Sequence, residues 1–67
     1  MSYTIRYETK RGGSGMNTVP TNEDAKRELL KLHKQRLTAR VETDAKEVIG
    51  ESYKSEGKWV WYIDTEA

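Results

Sequence analysis

Catalysis needs reactive side chains brought together, and this chain has few to bring: one histidine, His33, and no cysteine. A nucleophile must lie within hydrogen-bond reach of a base that is itself oriented by a third group. His33 falls at the edge of an apolar helical stripe, between Leu29 and Leu37. That is the place of a boundary histidine whose ring is satisfied within the fold. Ser14, Ser52 and Ser55 sit in glycine-rich or turn contexts suited to backbone bonding, so no triad assembles. The missing thiols also remove disulfides and thiolate metal sites.

Metal and phosphate chemistry are equally poorly served. Glu42, Asp44 and Glu47 come nearest to a hard-metal loop, but the spacing and turn glycine of an EF-hand are absent and they read as a solvated acidic edge. The run Gly12-Gly13-Ser14-Gly15 resembles a phosphate cradle only in composition. It lacks the Lys-Ser/Thr of a P-loop and the dinucleotide spacing, and it stands several residues ahead of the nearest helix start. No catalytic, cofactor or metal-binding residue can be named. In 67 residues there is also little room for a cleft, so no cofactor and no small-molecule substrate are expected.

Binding chemistry has more material. Exposed aromatics interleaved with Lys or Arg are what single-strand nucleic-acid binders present on a sheet face. Lys54, Lys58 and Tyr62 are candidates, and Arg27, Lys31 and Lys34 form a basic helix face, with Lys10 and Arg11 nearby in the chain. Against this reading, the net charge is only +1, and no RNP-type or helix-turn-helix motif is present. The charge is unevenly spread. Residues 1–40 carry nine Lys/Arg and four Asp/Glu, and residues 41–67 carry three and seven, a split that can steer a partner or let the two halves attract one another.

These candidates need elements to hold them. The length allows a single domain, and Leu, Ile and Val together number only 11, so the core is thin and leans on two Trp and four Tyr. No apolar run is long enough to cross a bilayer and the first residues lack a signal peptide's apolar stretch. No membrane association is expected, and the cytoplasm is the default compartment. Tyr3, Ile5 and Tyr7 alternate with Thr4, Arg6 and Glu8, as in a half-buried strand. The glycines that follow predict a flexible loop over residues 10–20. Thr21 with Glu23 and Asp24 opens a helix whose broad apolar face holds Ala25, Leu29, Leu30, Leu32 and Leu37, ending near Leu37 or Thr38. A weak Glu23 to Arg27 pair is expected on its outer side. Ala39–Thr43 is a short strand and residues 44–46 a turn.

The C-terminal segment predicts a β-hairpin, Glu47–Tyr53 and Lys58–Asp64. A three-residue loop Ser55-Glu56-Gly57 would set Tyr53 opposite Trp59 and Ile49 opposite Ile63. One surface then carries Ile49, Tyr53, Trp59, Trp61 and Ile63, and the other Val48, Gly50, Ser52, Val60 and Tyr62 with lysines around it. The expected fold is α+β, in the order β-α-β-β-β, with one helix on one face of a mainly antiparallel sheet. A lone helix shelters one face, yet the last strand is apolar on both. The second side is either tolerated exposure, a homodimer contact or a surface for another partner; on the latter two readings Val48, Val60 and Tyr62 are the candidate partner-binding residues, with Lys54 and Lys58 beside them. The sequence names no reaction. Its best reading is a small non-catalytic protein-interaction module that binds itself as a homodimer or binds another protein. The edge of a strand such as Ala39–Thr43 offers a second docking place, and weak nucleic-acid binding is the alternative.

Overall fold

The structure, a computed structural model, describes residues 2–64. Five strands and one helix follow in the order β1 (Tyr3–Glu8), β2 (Ser14–Val19), α1 (Asn22–Lys34), β3 (Ala39–Thr43), β4 (Val48–Ser55) and β5 (Lys58–Ile63). The strands form one sheet in the order β2-β1-β3-β4-β5, every neighbouring pair antiparallel. The helix packs on one face. The α+β class and the C-terminal hairpin are as the sequence predicts, with one additional strand.

That strand, β2, lies inside the stretch expected to be a loop. Its inward positions are Gly15, Asn17 and Val19, so only one of them carries an apolar side chain and the alternation is faint. Pairing with β1 supplies what periodicity does not. The Tyr7 ring lies over Gly15, its cross-strand partner, and covers backbone that a bare glycine would leave open. Gly12, with φ 83°, makes the turn itself.

Two turns of the sheet are built alike. Thr9 donates its N–H to the Gly13 carbonyl and accepts from the Gly12 N–H, while its hydroxyl oxygen accepts from the Gly13 N–H. Thr43 does the same with Glu47 and Lys46, and its hydroxyl oxygen also accepts from Ala45. The left-handed position is Gly12 in the first turn and Lys46, φ 63°, in the second. A side chain pays about 1 kcal/mol there. Lys46→Gly should therefore raise stability by about 0.5 kcal/mol in urea denaturation, part of the gain being offset by glycine's freedom in the unfolded chain. Ser2 ties the chain's start to this turn through its N–H and hydroxyl, which both donate to the Asp44 carboxylate. Those two bonds hold the Asp44 carboxyl below its ordinary range.

Thr21 caps the helix, its hydroxyl accepting from the Asp24 N–H at 3.1 Å. Arg27 pairs with Asp24 at 3.5 Å, three residues back, rather than with the expected Glu23. The helix stops at Lys34, short of the expected Leu37, although neither Gly nor Pro marks the place. Arg36 takes the left-handed conformation, φ 57°, and its N–H reaches the His33 carbonyl while that of Leu37 reaches Leu32. This is the Schellman closure, fastened by Leu37 packing against the core that holds Leu32. The core itself joins Tyr3 and Ile5 of β1, Ala25, Leu29 and Leu32 of the helix, Ala39 and Val41 of β3, and Ile49 of β4.

The hairpin register differs from the expected one by a residue. Its loop is the two residues Glu56-Gly57, both with positive φ (51° and 82°), so Ser55 pairs with Lys58, Tyr53 with Val60, Ser52 with Trp61 and Gly50 with Ile63. Side-chain size decides it. Trp59, Trp61 and Ile63 face the helix, and only small residues fit opposite the last two. Ile49 against Ile63 and Tyr53 against Trp59 would overfill the same layer. An extra residue in β4 beside Val41/Glu42 keeps Ile49 directed into the core as well.

Candidate binding face of the sheet

Strand alternation and register place every outward side chain of the sheet. One row runs Met16, Arg6, Arg40, Glu51, Tyr62 across all five strands. A second holds Thr18, Thr4, Glu42 and Val48. On the other side of the first row lie Ser14 and Glu8, then Tyr53 and Val60, with Ser55 and Lys58 at the hairpin tip. The helix covers none of these positions.

Exposure of large apolar side chains is confined to this face. Met16 (57%), Val48 (42%), Tyr53 (38%), Val60 (36%) and Tyr62 (47%) are the large apolar residues exposed among the described residues, and all five point away from the helix. Four of them cluster on β4 and β5. Val48, Val60 and Tyr62 thus lie together on the open face where the sequence puts them. Tyr53 joins them, missed because the three-residue loop turns it inward. Gly50 and Ser52 move the other way, under the helix.

The polar members of the face are tied to one another. The Arg6 guanidinium pairs with Glu42. The Tyr62 hydroxyl donates to a Glu51 carboxylate oxygen at 2.7 Å, which raises the phenol's pKa and keeps it protonated. Arg6, Arg40 and Lys58 are matched by Glu8, Glu42 and Glu51, so the strand positions of the face carry no excess of positive charge. Beside Met16 a shallow open concavity of about 650 Å³ lies among Arg6, Arg40 and Glu51.

Other sequence candidates are dispersed. Lys54 is paired with Trp59 on the helix side of the hairpin, so it does not share a surface with Tyr62 and Lys58. Arg27, Lys31 and Lys34 belong to the helix and are exposed on the opposite layer from the open face. Ala39–Thr43 is the central strand, flanked by β1 and β4, and has no free edge. The edges are β2 and β5. His33 is half-buried, its ring 6.0 Å from that of Trp61, and its Nδ1 lies 3.4 Å from the Ser52 hydroxyl. Since Ser52 donates its one proton to the Leu37 carbonyl at 3.1 Å, it can only accept from His33. This group links helix end, linker and β4. Of the acidic trio, Glu42 serves Arg6 and Asp44 holds Ser2.

Among the described residues, no helix is long and apolar enough to cross a membrane. Compared with protein-family models, with curated proteins and with solved structures, the chain matches none.

Proposed function

We propose that the chain is a non-catalytic protein-binding module whose docking surface is the open sheet face centred on Val48, Tyr53, Val60 and Tyr62. The observation that carries this reading is the confinement of exposed large apolar side chains to one face. Rigid aromatic anchors beside aliphatic groups, rimmed by paired charges, are the composition of a protein interface centre. The charge balance of the face argues against single-stranded nucleic acid. A backbone of phosphates would meet Glu8, Glu42 and Glu51 as often as Arg6, Arg40 and Lys58, and the Tyr62 hydroxyl is already committed to a carboxylate.

A photo-crosslinking residue placed at Tyr53 should capture a defined protein from cell extract, and the same residue at Lys26 on the helix should not. Val60→Ser combined with Tyr62→Ser should weaken that capture about tenfold or more while circular dichroism stays unchanged. Equal capture from both positions, or capture indifferent to the double substitution, rejects the surface. A labelled oligonucleotide titrated at two salt concentrations tests the alternative. Tight binding with a steep salt dependence would favour nucleic acid instead.

A further inference from the structure

Sheet edges are usually blunted by charges, proline or bulges, because a row of unpaired N–H and C=O groups recruits other strands. β2 is blunted by its weak strand formers Gly15 and Asn17 and by running into Pro20. β5 is not. Between Trp59 and Ile63 it has no charge, no proline and a regular register with β4.

The ladder shows which groups point outward. A two-residue loop makes its flanking pair, Ser55 and Lys58, a hydrogen-bonded pair, and bonding to β4 then recurs at every second residue. The Asp64 N–H, bonded to the Ile49 carbonyl at 2.7 Å, keeps this phase. Trp59, Trp61 and Ile63 therefore direct their backbone N–H and C=O groups away from the sheet.

Read against itself in antiparallel orientation, β5 matches about Trp61. Trp61 then meets its own copy and Trp59 meets Ile63 of the second copy, both as hydrogen-bonded pairs on the helix side. On the open side Val60 meets Tyr62, and Lys58 meets Asp64, an opposite-charge pair that the two-fold axis makes twice. A shift of the axis to Val60 loses that charge match, since Lys58 then meets Tyr62. We propose that β5 pairs with β5 of a second copy in this register, forming a two-fold dimer with one continuous sheet. This deepens the reading of the chain as a protein-binding module. The two apolar patches become one band across the join, with both helices on the other side.

The test uses light scattering and sedimentation from micromolar to millimolar concentration. The wild-type mass should rise from monomer to dimer and stop there. Lys58→Asp and Asp64→Lys should each weaken dimerisation about tenfold or more, since each sets like charges opposite one another twice. An equimolar mixture of the two variants should dimerise, because every cross-strand charge pair in the mixed dimer is again opposite, and native mass spectrometry would show the heterodimer. Circular dichroism checks that both variants fold. A wild type that stays monomeric, that grows past the dimer, or whose dimer ignores the charge changes overturns the proposal. Val48→Ser, made in the chain that carries the photo-crosslinking residue at position 53, lies off β5: it should weaken capture by the open face and spare the dimer, so failure of either reading shows in its own assay.

Discussion

At micromolar concentration and room temperature, Leu29→Ala should lose most of its helical circular dichroism and most of its amide protection from hydrogen exchange. Leu29 is fully buried at the middle of the helix stripe, in one core with Ile5 of β1 and Val41 of β3. Truncating a buried leucine costs about 2–5 kcal/mol, because the neighbours relax only partly into the cavity. A core of this size supplies about 3–5 kcal/mol in all. The loss is comparable with the whole. Leu29→Met, which nearly conserves volume, should cost under about 1.5 kcal/mol and keep a cooperative unfolding transition. If the alanine variant unfolds within a few degrees of wild type, the helix is not the keystone of this core.

Gly50→Ala should be the second most damaging change, though it adds only a methyl group. A Cβ built there lies 2.9 Å from the Tyr62 carbonyl oxygen and 2.9 Å from Ile63 Cγ1. The isoleucine could turn, but the carbonyl belongs to the hairpin backbone. Gly50 and Ile63 form a non-hydrogen-bonded pair, the arrangement in which antiparallel strands approach most closely. Overpacking of this kind costs about 1–3 kcal/mol. With a urea dependence near 1 kcal/mol per molar, the unfolding midpoint should fall by about 1–3 M. Gly15→Ala is a useful contrast, since its obstruction is the end of the Tyr7 ring rather than backbone. Should Gly50→Ala leave the midpoint in place, the small-against-large layering of the hairpin is mistaken.

That layering explains what could and could not be read from the chain. The side of β5 on which Val60 and Tyr62 fall depends only on strand period, so their exposure was legible without knowing the loop. The partner of each residue depends on loop length, and Glu56-Gly57 is a weak form of the Asn-Gly signal for a two-residue turn. The better signal was volume: Gly50 and Ser52 are spaced to sit opposite Ile63 and Trp61, and nothing larger would fit. β2 was hidden because its inward positions are filled by Gly15 and Asn17, and Tyr7 of the neighbouring strand does the covering. The helix end was hidden because Arg36 occupies a conformation that normally advertises itself as glycine. Each miss concerns information held by a neighbour in space rather than in sequence.

The extra residue in β4 does more than bend the strand. Val48 is even-numbered and Tyr53 odd-numbered, and an uninterrupted strand would send them to opposite surfaces. The offset at Ile49 brings them onto the same one. Loss of that single codon would restore plain alternation and leave both outer side chains where they are, so the surplus position serves the interior alone, by lodging one more isoleucine there.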